Sequence, residues 1–75
     1  MHLRLPVLKP REIVRALERA GFIREHQTGS HIILRHPETA HKVTVSWHNS
    51  DLKRGTLAGI LREAGITASD FRRFL

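Results

Sequence analysis

Apolar residues recur along this chain with two periods, and the switches between them mark its elements. Ile13, Leu17 and Ala20, flanked by Val14 and Ala16, hold the i, i+4, i+7 spacing of a core-facing helix. The pattern predicts a helix over residues 10–20, with Pro10 tolerated in its first turn and Gly21 as the stop. Its outer side carries Arg11, Arg15 and Arg19 interleaved with Glu12 and Glu18, which reads as a solvated stripe with internal ion pairs. From Phe22 the period falls to two. Residues 22–27 predict a first strand that Arg24, Glu25 and His26 leave half-exposed, hence at a sheet edge. Residues 31–36 predict a second, with Ile32 and Leu34 on one face and His31, Ile33 and Arg35 on the other. After a turn over residues 37–41 comes the clearest strand, in which Val43, Val45 and Trp47 alternate with Lys42, Thr44, Ser46 and His48. Asn49-Ser50-Asp51 then offers capping oxygens, and Leu57, Ile60, Leu61 and Ala64 mark a second amphipathic helix closed by Gly65. A final helical turn over residues 69–75 starts from Thr67 as a cap and turns Phe71 and Phe74 toward the core.

Helix, three strands, helix is the α+β solution for a sheet with one apolar side: a three-stranded antiparallel sheet with two helices on one face, α-β-β-β-α, plus a short C-terminal helical turn. The opposite face is left open for a partner. Residues 1–75 read as one domain without repeat, linker or low-complexity tract. That is near the lower end of what one core can hold together, where only about 60% of the unfolded surface is buried. The chain has no cysteine, which suits a reducing compartment. Its N-terminal stretch is too short for a signal peptide and is broken by Arg4 and Pro6, and no run approaches the ~20 apolar residues of a membrane span. A cytoplasmic protein without membrane contact is expected.

Charge narrows the partner. Thirteen Lys and Arg stand against seven Asp and Glu, a formal net charge of +6, which is the balance of a protein that meets a polyanion. Nucleic acid is the leading class, and an acidic protein is the other that composition allows. With one Trp and three Phe, base stacking on a surface of aromatics is not supported, so backbone and shape recognition fit better.

Against that background the turn Thr28-Gly29-Ser30 matters, because it releases His31 at the first position of a β-branched run, at the rim of the sheet. An imidazole with an ordinary pKa of roughly 6.5 is largely the free base near neutral pH and can take a proton from a hydroxyl. The plainer reading is a histidine that only starts a strand. Arg35 shares its strand face, and Lys53-Arg54-Gly55-Thr56, two cations and a glycine where a helix leaves N–H groups unpaired, is either a phosphate seat or an ordinary helix start. The six histidines contain no helical i, i+4 pair and no accompanying cysteine, so neither a metal site nor another cofactor is expected.

The order and spacing of several short motifs resemble those of the HicA toxins of bacterial type II toxin–antitoxin systems. The resemblance runs from Leu5 to Leu75 and rests on Leu5-Pro6-Val7-Leu8, Arg15-Ala16-Leu17-Glu18 with Ala20-Gly21-Phe22, Gly29-Ser30-His31, and Arg35-His36-Pro37. It continues through Val43-Thr44-Val45, His48, residues 51–57 and residues 60–66; Ser46 departs from it, standing where members usually carry proline. The resemblance implies a double-stranded-RNA-binding-domain-like fold, metal-independent cleavage of mRNA centred on His31, and neutralisation by a cognate acidic HicB-type antitoxin. With His31 as general base, the remaining expectations are Gly29, Ser30, Arg35, Lys53 and Arg54 as RNA contacts and His48 as a possible second acid or base. The competing reading is a non-catalytic basic RNA-binding module of the same fold, which would hold duplex RNA by shape and phosphate contacts.

Overall fold

In the computed structural model of the chain, which describes residues 5–47 and 51–75, the first apolar stripe forms helix α1 (Pro10–Arg19). Ile13, Val14, Ala16 and Leu17 are fully buried along it. The Glu12 carboxylate reaches back to accept from the Lys9 backbone N–H at 3.0 Å, giving one donor at the helix start a partner. At the other end Gly21 takes φ +105°, open to glycine and strained for any other residue.

Three antiparallel strands follow in the order β1 (Ile23–Gln27), β2 (His31–Arg35), β3 (Lys42–Ser46). Cross-strand partners share a face, so Ile32↔Val45 and Leu34↔Val43 build one apolar side, and all four side chains are buried. The alternate set, His31↔Ser46, Ile33↔Thr44 and Arg35↔Lys42, lines the other. β1 is an edge strand exposed at every residue, and its register slips between Arg24 and His26, leaving Glu25 as the extra residue of a bulge. Phe22, expected as its first residue, instead plugs the core at the joint between α1 and β1.

Helix α2 (Arg54–Ala64) buries Leu57, Ile60, Leu61 and Ala64 and ends on Gly65 at φ +71°. Its N-cap is Lys53, whose side chain makes no capping hydrogen bond; Asn49 and Ser50 of the expected Asn49-Ser50-Asp51 cap lie outside the described part of the chain. Helix α3 (Ala68–Arg72) starts as expected from Thr67, whose hydroxyl accepts from the Asp70 N–H at 3.1 Å; Phe71 is buried and Phe74 half-buried. Trp47, just past β3, is half-buried against the core. No helix among the described residues is long and apolar enough to cross a membrane.

Both long helices lie on the apolar side of the sheet and run in the same direction. Their starts are tied by an isolated bridge, with the Leu52 N–H donating to the Leu8 carbonyl at 2.8 Å. Their ends meet the β2–β3 hairpin, where two histidines serve structure. His36 stacks edge-on against Phe22 at 5.2 Å between ring centroids, its Nδ1 accepts from the Glu38 and Thr39 N–H groups at 3.1 and 3.4 Å, and its ring lies over Gly21. His41 lies over Gly65 with its Nδ1 2.9 Å from the Thr39 hydroxyl. The hairpin thus sets one imidazole on the closing glycine of each helix.

A Cβ at Gly65 would fall 2.7 Å from His41 Cε1 on a backbone that L-residues adopt reluctantly. Gly65→Ala is expected to lower unfolding stability in urea by about 1–2 kcal/mol, and adding His41→Ala should restore part of that loss, since it clears the contact but leaves the backbone strain. A double variant no more stable than Gly65→Ala would show that the ring does not press on this glycine.

Candidate active site

His31 stands where the sequence expects it, at the first residue of β2 with its side chain exposed. The turn before it is held at several points. The His31 N–H donates to the Thr28 hydroxyl at 3.0 Å and its carbonyl accepts from the Thr28 N–H at 2.9 Å. The Ser30 carbonyl accepts from the Trp47 N–H at 2.7 Å, which fastens the turn to the end of β3. Within this frame Ser30 Oγ lies 3.0 Å from His31 Nδ1, and Nε2 has no hydrogen-bond partner among the described residues. Gly29 has an ordinary φ and nothing within 4 Å of where a Cβ would stand, so the fold itself does not require a glycine there.

The topology brings the start of α2 to this same end of the sheet. His31 pairs with Ser46, the last residue of β3, and the chain then leads through Trp47 and Asp51 to the Lys53 cap. The first turn of α2 holds no acidic residue, so the positive end of the helix is not offset from within that turn. Of the two cations expected here, Arg54 donates from Nε to the Leu5 carbonyl at 2.8 Å, pinning the N-terminal lead-in, while Lys53 is exposed. A Cβ on Gly55 would meet nothing within 4 Å, which keeps this surface low.

Arg35 lies on the same face as His31 but four residues along the strand, about 13 Å away at the usual rise. Its Nε is 2.6 Å from Glu25 Oε2, and Lys42 Nζ is 3.7 Å from Oε1 of the same carboxylate. The hydrogen bond from Arg35 is the main reason the Glu25 carboxyl titrates below its ordinary value; desolvation opposes it, and the charges of Arg35 and Lys42 add smaller downward contributions. The open face therefore carries an internal anion: Glu25 lies two residues along β1 from Ile23, the partner of Arg35, and the bulge displaces the residues that follow it.

Other expectations separate here. His36 is on the opposite side from His31, bound into the hairpin, and His48 lies outside the described residues. No group of three His, Asp or Glu side chains among the described residues is placed to hold a metal ion. On α1, Arg19 donates to the Phe74 carbonyl at 2.7 Å and Glu18 pairs with Arg24 at 3.2 Å, so part of the helix's charged stripe joins elements of this chain to one another.

Compared with known families, residues 10–66 match a family model described as the HicA toxin of bacterial toxin–antitoxin systems, a span from the first residue of α1 to just past α2. No curated protein matches the chain.

The pairing of Glu25 has a measurable sign. A carboxyl whose pKa is lowered by folding contributes stability above its unfolded-state pKa, and that contribution is lost as pH falls through the folded value. Acidification from neutral pH to about pH 3 should therefore destabilise the parent more than Glu25→Gln, as read by urea unfolding at each pH. Equal losses in the two proteins would count against the Arg35–Glu25–Lys42 cluster in solution.

Proposed function

The chain belongs to the HicA toxin family of bacterial toxin–antitoxin systems, whose members are generally ribonucleases, and from this we propose that it is an endoribonuclease with His31 as its general base. The observation that carries the proposal is the state of His31: exposed, held by its backbone on both sides, bound at Nδ1 and with no partner at Nε2 among the described residues, at the end of the sheet where α2 begins. A module that only bound RNA by shape would have no use for an imidazole fixed in this way. RNA contains its own nucleophile, so the protein has to supply little. Nε2 takes the proton of a ribose 2′-OH; the 2′-oxygen bonds to the adjacent phosphorus as the bond to the 5′-oxygen breaks; the leaving oxygen takes a proton from water. One end of the product is a 2′,3′-cyclic phosphate and the other a 5′-hydroxyl. A positioned base of this kind contributes roughly 10²–10⁴-fold.

Charge that builds on the phosphoryl oxygens is met by Lys53 and the start of α2, since Arg35 is too far along β2 to reach the same phosphate. Arg35 and Lys42 instead serve a flanking phosphate, which must compete with Glu25 for them. Gly29 and Gly55 let the RNA backbone come close at this end, a use consistent with the empty space beside each. The antitoxin partner that the family implies is, in this reading, an acidic HicB-type protein that covers His31 and Lys53.

Replacing His31 with Ala removes an exposed side chain, so unfolding stability should change by less than about 1 kcal/mol while cleavage falls by two orders of magnitude or more. RNA binding should survive in that variant and weaken steeply with salt. The parent should cut RNA but not DNA of the same sequence, keep cutting in the presence of a chelator, and leave cyclic phosphate ends. A His31→Ala protein that cuts near the parent rate, or that unfolds, would sink the assignment.

A further inference from the structure

Taking His31 as the base, we propose that Ser30 is a positioning residue that selects its tautomer: the Ser30 hydroxyl oxygen accepts the Nδ1 proton of His31, so that the Nε2 lone pair is the one presented to substrate. A neutral imidazole carries one ring proton, on either nitrogen, and only a nitrogen without it can act as a base. At the rim of this sheet the two nitrogens have different surroundings. Nδ1 lies 3.0 Å from Ser30 Oγ, and Nε2 has no partner among the described residues. A proton left on Nε2 would turn the open nitrogen into a donor and remove the base from the position where RNA can reach it.

Two neighbouring residues of a strand point to opposite faces, so Ser30 and His31 cannot make this contact as strand residues. They make it because Ser30 still belongs to the turn. Its backbone is fastened to β3 by the Trp47 N–H, and that of His31 to Thr28 by two hydrogen bonds. The two backbones are thus held by separate anchors, and the contact between hydroxyl and ring is the side-chain hydrogen bond that each residue makes. With the Nδ1 proton accepted, the hydroxyl's own proton points away from the ring, free for solvent or a phosphate oxygen.

The lock is read directly in the RNA-free protein from the imidazole ¹⁵N shifts at a pH where His31 is neutral, comparing the parent with Ser30→Ala and Ser30→Thr. The parent should show a protonated Nδ1 and an unprotonated Nε2; Ser30→Ala should shift toward a mixture, and Ser30→Thr, which keeps a hydroxyl, should return toward the parent. Loss of one neutral hydrogen bond changes a two-state ratio about 2- to 10-fold; kcat for RNA cleavage follows the fraction in the active tautomer, so it should fall by less than that factor in Ser30→Ala, in step with the fraction the shifts report, with KM unchanged. Shifts that do not move in Ser30→Ala overturn the lock whatever the activity. A rise in KM alone would make Ser30 a substrate contact and overturn it as well. Shifts that move as expected beside a His31→Ala protein that still cuts RNA would instead overturn His31 as the base, leaving the lock as a feature of the fold without a catalytic role.

Discussion

Burial of Ile32, Leu34, Val43 and Val45 against the two helices is the constraint on which the rest of the structure depends. Each of these side chains is worth about 1.5–3 kcal/mol when taken fully out of water, and a sheet has only two faces, so burying this set commits every alternate residue of β2 and β3 to the other. A slip of one residue in register would put His31, Ile33 and Arg35 beneath the helices and the aliphatic set in water. The placement of the chemistry is thus a by-product of core packing. His31 is exposed because Ile32 is not.

The same packing gives the domain two unlike ends. At the hairpin end, imidazoles rest on the closing glycines of α1 and α2. At the other, the two helix starts are bridged between Leu8 and Leu52, the Thr28-Gly29-Ser30 turn is tied to Trp47, and Lys53 opens a helix whose first turn has no acid. Of the four histidines described on the strands and their hairpin, His36 and His41 are joints, while His26 on β1 and His31 at the rim are exposed, and of these His31 is the one the proposed reading uses. Parallel helices make this division possible, because both positive helix ends lie at the His31 end of the sheet.

Periodicity carried most of the fold in plain view. The i, i+4, i+7 stripe of α1, the alternation of β3 and the Thr67 cap of α3 appear within a residue or two of where they are read, since each follows from local geometry and from which side chains must leave water. His31 at the head of a strand was legible for the same reason. What the sequence hid depends on contacts between distant segments. Lys53-Arg54-Gly55-Thr56 was legible as the entry of α2, but Asn49-Ser50-Asp51 has the composition of a cap and the N-cap is Lys53, two residues beyond it, where the Leu8–Leu52 bridge fixes the approach. The Glu25 carboxylate joins Arg35 and Lys42 through the cross-strand register, and nothing in residues 23–27 says that Arg35 stands opposite Ile23 and Lys42 opposite Arg35. The use of His36 and His41 against Gly21 and Gly65 could not be read either, as nothing local says that a hairpin will fold back onto two helix ends. For Ser30 a signal existed: a hydroxyl next to a histidine, in a turn rather than a strand, is able to meet its ring.

Under the proposed reading, this arrangement also bears on control. A base held in one tautomer, exposed on a preformed turn and acting on a substrate that carries its own nucleophile, is competent whenever RNA arrives. Among the described residues nothing hydrogen-bonds to Nε2, and the carboxylate paired on the basic face, Glu25, occupies Arg35 and Lys42 but sits roughly 13 Å along the sheet from His31. Such a restraint tunes affinity for flanking phosphates without closing the site. Silencing must then come from a second protein, and the charge of +6 indicates its chemistry: carboxylates laid over Lys53 and the rim would satisfy the same donors that phosphates use. On this reading, the antitoxin that membership of the family implies supplies the off-state that His31, with Nε2 unbonded among the described residues, does not supply for itself.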